Sequence, residues 1–246
     1  MTTAVIIPAR YDSTRFPGKP LAKISGKPMI QWVVESALRS KLSDKVIVAT
    51  DDERIFDFVK GICSVLITSK DHQSGTDRIA EVVKQDPGIK YIVNLQGDEP
   101  LMPPEYIDKA IESVKNETAI VSLITTINNE EELNNSNVVK AYMDNAGFAV
   151  TFSRKKKVGS PFRHIGLYAY DRNTLLKFNS LPQSKLEKEE KLEQLRALEN
   201  GIKIKLEIVP KAYPAVDTPE NIKLVESILS LPITENLNHP VPPVNH

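Results

Sequence analysis

Through the first half of the chain, short runs of apolar residues alternate with longer stretches whose apolar positions recur every three or four residues. The runs at 4–8, 45–50, 64–68 and 91–95 predict strands, and the stretches near 28–40, 52–60 and 76–84 predict helices between them. Val46-Ile47-Val48-Ala49 is apolar throughout, as a strand must be when helices cover both faces of a parallel sheet. In the first helix Pro28 suits the first helical position, and Met29, Ile30, Val33, Val34, Ala37 and Leu38 make one stripe. Repeated strand–helix units of this kind predict an α/β fold with a mostly parallel sheet. Beyond residue 119 the pattern changes. Strand-like segments at 119–126, 139–143, 148–153 and 165–170 have few helices between them and predict a smaller, mixed or antiparallel part within about 119–200. A helix near 187–200 closed by Gly201, a strand at 202–209 and a helix at 218–229 complete the pattern. The charge run 185–191 reads as the solvated face of its helix. Residues 1–230 thus form one domain, and 231–246, rich in Pro and Asn, a loose tail.

Composition narrows the function classes. At 246 residues and 41% hydrophobic, the chain can bury a substantial core. Thirty-two basic residues balance thirty-two acidic ones, so no global field favours nucleic acid or an acidic membrane surface. No apolar run approaches the roughly 18 residues of a membrane span, and no signal peptide opens the chain. The single cysteine, Cys63, excludes a disulfide framework, fits a reducing, cytoplasmic setting and reads as a core residue among Ile62, Val65 and Leu66. Small-molecule partners are expected.

The candidate chemistry sits where strands end. The first strand runs into Pro8-Ala9-Arg10-Tyr11-Asp12-Ser13-Thr14-Arg15-Phe16-Pro17-Gly18-Lys19, which gathers three cations, two hydroxyls and a glycine in one irregular segment able to converge on a polyphosphate. It matches neither the dinucleotide-binding glycine fingerprint nor the Walker loop, and a solvated basic loop is the plain alternative. The strand at 91–95 ends in Gln96-Gly97-Asp98-Glu99-Pro100, placing carboxylates at the same sheet edge. Asp98 is the first candidate for a divalent cation, which is typically held by one or two carboxylates plus phosphate oxygens. Asp217, in Val216-Asp217-Thr218-Pro219, is either a second ligand or a helix cap. Asp71-His72-Gln73-Ser74-Gly75-Thr76-Asp77-Arg78 could cradle a ribose or phosphate at a helix N-terminus, or be an ordinary capped loop. The four histidines form no spaced metal cluster, and no nucleophile elbow is present. Transfer of a phosphoryl group needs mainly positioning and charge neutralisation, for which these groups suffice.

Taken together, Ile7-Pro8-Ala9-Arg10-Tyr11 through Pro17-Gly18-Lys19-Pro20-Leu21, the segment from Asp71 to Arg78, Asn94-x-Gln96-Gly97-Asp98-Glu99-Pro100, Phe152-Ser153-Arg154, His164-x-Gly166-x-Tyr168-x-Tyr170, Leu192-Glu193-Gln194-Leu195-Arg196 and Val216-Asp217-Thr218-Pro219 resemble, in order, the 3-deoxy-manno-octulosonate (Kdo) cytidylyltransferases of lipopolysaccharide biosynthesis. The resemblance covers residues 4–229. It implies a nucleotide-diphospho-sugar transferase fold with a small β-rich dimerisation subdomain, a homodimer, and Mg²⁺-dependent transfer of CMP from CTP to Kdo with release of pyrophosphate. It further implies that Pro8, Ala9, Arg10, Arg15, Lys19, Asp71, Ser74, Gly75 and Arg78 bind the nucleotide. Gln96, Arg154, His164, Tyr168, Glu193 and Gln194 would bind the sugar. Asp98 and Asp217 would hold the metal, and Lys19, Arg15, Asp98 and Asp217 would carry catalysis. The stretch 155–163 is shorter than in the family, which leaves room for a modified octulosonate, such as an 8-amino form, or another acidic keto-sugar. A sugar-nucleotide glycosyltransferase and a non-catalytic CTP-binding regulator are the more distant alternatives.

Overall fold

The structure, a computed structural model, describes residues 2–12, 16–117 and 119–231. The first half builds β1 (Thr2–Ala9), a short hairpin of β2 (Lys23–Ile24) and β3 (Lys27–Pro28), α1 (Met29–Leu38), β4 (Lys45–Thr50), α2 (Glu53–Val59), β5 (Ser64–Ile67), α3 (Gly75–Gln85) and β6 (Ile89–Asn94). The second half continues through α4 (Pro104–Asn116), β7 (Ile120–Thr126), α5 (Glu130–Asn134), β8 (Lys140–Met143), β9 (Ala149–Ser153) and β10 (Phe162–Asp171). It ends with α6 (Arg172–Ser180), α7 (Lys185–Glu190), α8 (Gln194–Glu199), β11 (Ile204–Ile208) and α9 (Pro219–Leu229).

Seven strands lie in the order β11-β7-β10-β6-β1-β4-β5, and the β8–β9 hairpin joins the same sheet through β10. β10 is antiparallel to both β6 and β7, whereas β1 pairs in parallel with β4 and β6. Residues 119–200 therefore share the main sheet. Within them β8 is antiparallel to β9 and β10, and β11, which follows, is parallel to β7. The chain leaves β1 for β4 on one side and later places β6 on the other. The crevice at the C-terminal ends of β1 and β6 is thus a point where strand order reverses, the usual ligand position in open α/β sheets.

β1 shows how the core forms. Val5, Ile7 and Ala9 face one apolar cluster with Ile30, Val33, Ile107 and Ile111; Ala4 and Ile6 face the other with Ile79, Val82, Leu175 and Phe178. A third, smaller cluster of Ile24, Met29, Val216 and Val225 joins the β2–β3 hairpin to α9.

The differences from expectation are local. Pro28 is the N-cap of α1, one position before the expected one. α4 and α6 were not anticipated, although Pro104 at the start and Ile107, Ala110, Ile111 and Val114 at helical spacing signal the first of them. The expected helix at 187–200 breaks in two because Lys191 adopts φ 55°, a left-handed conformation that ends α7. Gly201, at φ 70°, terminates α8 as expected. The charge run 185–191 is not merely a solvated face. Glu187 is buried and receives both Nε (2.9 Å) and Nη2 (2.6 Å) of Arg196. Cys63 is half-buried against the first cluster, and burial pushes its thiol up to about 11. The expected tail at 231–246 lies outside the described residues apart from Leu231.

Candidate active site

At the C-terminal end of β1, Pro8 and Ala9 are buried, and the chain turns out at Arg10. Pro8 is flanked closely on two sides: a Cβ placed on Gly75 would meet its ring at 3.1 Å, and one on Gly97 its carbonyl oxygen at 3.0 Å. These two glycines let α3 and the turn after β6 close onto the end of β1. Arg10 Nη2 donates to the carbonyls of His72 and Ser74, at 3.1 Å for the latter, so it ties the 71–78 loop to this edge. The loop back to Lys19 closes when Gly18 N–H donates to the Tyr11 carbonyl at 2.9 Å. Gly18 stands at φ 71° with the Tyr11 ring against it, a position that excludes other residues. Arg15 lies outside the described residues.

Lys19 Nζ then reaches across the crevice to Asp98 Oδ2 at 2.6 Å, both side chains being largely shielded from solvent. The Val216 N–H donates to the Asp98 carbonyl at 2.9 Å, which brings Asp217 beside Asp98. Thr218, not Asp217, caps α9, its box completed by Asn221. The cap reading of Asp217 is thereby removed. Glu99, for which the sequence pattern gives no separate role, lies in the same place. Burial, then Asp98 and Asp217, push its carboxyl up to about 8, against the opposing pull of Arg163 and Lys19. Its signal was its place directly after Asp98.

The 71–78 loop divides by role. Ser74 caps α3 in a box with Asp77, and Asp71 faces solvent. Arg78 requires a correction, because its side chain is fully buried, with Nη2 at 2.6 Å from Asp51 Oδ2 and Nη1 donating to Thr68 Oγ1. It anchors the loop from beneath and presents no open guanidinium to a nucleotide. Asp51→Ala is accordingly expected to cost about 3–5 kcal/mol of stability, since it leaves a buried guanidinium without its carboxylate. Urea denaturation measures this, and a loss under 1 kcal/mol would contradict the anchoring role.

The residues expected to bind sugar lie after β6, after β9, on β10 and at the start of α8. Gln96 Nε2 donates to Asn94 Oδ1 at 2.7 Å, and Tyr168 pairs in register with Asn94 across β6 and β10. A bulge between Ile165 and Tyr168 sets the spacing on β10. Ser122 closes the bulge: its hydroxyl lies 2.9 Å from both the Leu167 carbonyl and His164 Nε2. With its one proton on that carbonyl, it accepts the Nε2–H of His164. Phe152 meets the imidazole edge-on at 5.1 Å and Tyr168 lies at 5.5 Å. Burial pushes His164 down to about 3, so it is neutral at physiological pH, and burial followed by Glu193 raises the Tyr168 phenol. Glu193 accepts from Thr76 Oγ1 at 2.7 Å, linking α8 to α3, and burial raises its carboxyl. Gln194 is buried at the start of α8. Arg154, at the end of β9, donates through Nε to the Glu190 carbonyl at 3.1 Å. It reaches the turn between α7 and α8 that also carries Glu193.

A family model described as Cytidylyltransferase matches residues 4–204. The chain is 44% identical to a 3-deoxy-manno-octulosonate cytidylyltransferase of Thermodesulfovibrio yellowstonii, over 94% of this chain and 99% of that one. It is 46% identical to one of Syntrophotalea carbinolica, over 93% and 99%. A solved structure of CMP:2-keto-3-deoxy-manno-octonic acid synthetase complexed with CTP superposes with a TM-score of 0.88 at 36% identity, over 93% of this chain and 98% of that one. The 4-diphosphocytidyl-2C-methyl-D-erythritol synthase of Anaerococcus prevotii, 14% identical over 93% and 96% with a TM-score of 0.64, shares the fold. With this family match over residues 4–204 and relatives 44–46% identical over nearly its whole length, the chain belongs to the cytidylyltransferase family, among the 3-deoxy-manno-octulosonate cytidylyltransferases.

Proposed function

We propose that the protein transfers the cytidylyl group of CTP to the anomeric hydroxyl of Kdo, giving CMP-Kdo and pyrophosphate. The observation that carries this reading is the convergence, at one crevice, of Lys19 and Asp98 in contact with Asp217 drawn beside them. In the reaction the sugar oxygen bonds to the α-phosphorus as the bond to the β-phosphate oxygen breaks, and the hydroxyl proton leaves to solvent. Lys19, Arg10 and Arg15 are assigned to the triphosphate, where fixed cations oppose the charge that grows on the departing pyrophosphate. Gln96, Arg154, His164, Tyr168, Glu193 and Gln194 are assigned to the sugar. A guanidinium such as Arg154 can grip the sugar carboxylate with two parallel hydrogen bonds.

The donor set fits Mg²⁺. Asp98 and Asp217 are two oxygen ligands of the kind this cation takes alongside phosphate oxygens and water. Burial first, and then the charges of Asp98 and Asp217, raise the carboxyl of the neighbouring Glu99, so carboxyl groups gather at this point of the crevice. When bound, the cation would neutralise the phosphates and draw charge from the transition state. The same reading includes a homodimer formed through the 119–200 part and a cytoplasmic location, the latter in keeping with the balanced charge and lone cysteine. Among the described residues no helix is long and apolar enough to cross a membrane.

Pyrophosphate release with CTP and a panel of Kdo, its 8-amino analogue and other 3-deoxy keto-acid sugars tests the function. Release that requires both CTP and Kdo is expected, and release with CTP that no such sugar stimulates would refute it.

A further inference from the structure

Lys140 is fully buried, and among the described residues its ammonium makes no salt bridge, Glu132 acting on it only from beyond contact. Nζ donates instead to two backbone carbonyls, those of Asn135 and Arg154, the latter at 3.1 Å. Burying an ammonium in this way costs stability that an apolar side chain of similar size would not, so the residue calls for a reason beyond packing. The contacts supply one. Asn135 precedes β8 and Arg154 follows β9, so the ammonium fastens together the two ends of this hairpin. The same two points are joined a second time by Arg154 itself, whose Nη1 donates to the Ser136 carbonyl at 3.4 Å.

Glu190 completes the clamp from the other side. Its carboxylate accepts the Arg154 backbone N–H at 3.1 Å and the Ser153 hydroxyl at 3.3 Å, while its carbonyl accepts Arg154 Nε. The backbone of Arg154 is thereby fixed at both N–H and C=O, and its guanidinium at Nε. Among the described residues its Nη2 has no hydrogen-bond partner, which leaves that edge for a ligand.

We infer that Lys140 and Glu190 are positioning residues that hold Arg154 in the orientation needed to receive the carboxylate of the sugar. The inference rests on the proposed assignment of Arg154 to the sugar. Neither residue touches substrate; both act through Arg154.

The test is steady-state kinetics of Lys140→Met and Glu190→Gln, each alone and combined with Arg154→Ala. Each single change is expected to raise the KM for Kdo about tenfold, because a slightly misplaced binding group loses much of its effect. The KM for CTP should stay within about twofold of the parent value, and in the Arg154→Ala background either change should add nothing, as expected of residues acting through one partner. Glu190 is only partly buried, so Glu190→Gln carries the test if Lys140→Met does not fold. An unchanged KM for Kdo in Arg154→Ala itself would overturn the sugar assignment and the inference with it. If Arg154→Ala raises that KM but the two neighbours do not, or if their effects persist undiminished without Arg154, the positioning role alone is refuted.

Discussion

Asp98→Asn and Asp217→Asn are each expected to lower turnover on the order of 10²–10³-fold, about 3–4 kcal/mol of lost transition-state stabilisation. Either change removes one of the two carboxylates that the Val216–Asp98 hydrogen bond brings together, while keeping the side chain's size. The deficit should shrink as Mg²⁺ is raised, since weaker binding of the cation is part of the loss. For Asp217 the interpretation is clean. The residue is exposed and Thr218, not Asp217, caps α9, so a loss of turnover without a fall in melting temperature is the result expected of a lost metal ligand. Measuring kcat against Mg²⁺ concentration alongside the melting temperature separates the two effects. Wild-type turnover at limiting Mg²⁺ would exclude Asp217 as a ligand.

Lys19→Ala is expected to reduce kcat by about 10²-fold, the scale of losing one preorganised charge aimed at the developing negative charge, while the KM for Kdo changes less than about threefold. The 2.6 Å contact adds a second, opposite expectation. On the proposed metal site, Lys19 holds the carboxylate that the cation would take, and without nucleotide the two would compete. The variant should therefore bind Mn²⁺, as a probe for Mg²⁺, about fivefold more tightly in the absence of CTP, a partly shielded ion pair contributing about 1 kcal/mol. Isothermal titration of the CTP-free protein reads this directly. Weaker Mn²⁺ binding by the variant would mean that Lys19 supports the carboxylate geometry instead of competing for it.

How far the sequence anticipated this molecule depended on whether the determining contacts were local. β4 occupies 45–50 as expected, because a strand covered on both faces is apolar at every position and bounded by polar residues. The sheet-edge motifs were legible for a related reason: a loop that follows a buried strand is delivered to the ligand crevice by topology alone. Arg78 was not legible. Its burial depends on Asp51 and Thr68, which arrive from the ends of β4 and β5, and nothing in Asp77-Arg78 itself distinguishes an anchor from a phosphate ligand. The break at Lys191 likewise has no local mark, since a lysine in a left-handed conformation is imposed by its surroundings, and Glu187 and Glu190 then face inward from a run that looks wholly solvated. α4 is the opposite case, where a legible signal at Pro104 stood beside the more conspicuous carboxylates of the preceding turn.

The small cluster of Ile24, Met29, Val216 and Val225 has a consequence for how the protein comes into being on the ribosome. The phosphate loop is among the first segments synthesised, and Asp217 among the last of those described, yet Val216 seats beside Asp217 only against residues that follow that early loop. A nascent chain ending before Val216 already contains the sheet through β11 and all of its two main clusters. It would lack one of the two carboxylates, because that ligand is delivered by a contact spanning nearly the whole described length, the kind that forms late. On the proposed role of Asp217, competence for chemistry arrives after the fold, in a final step of docking.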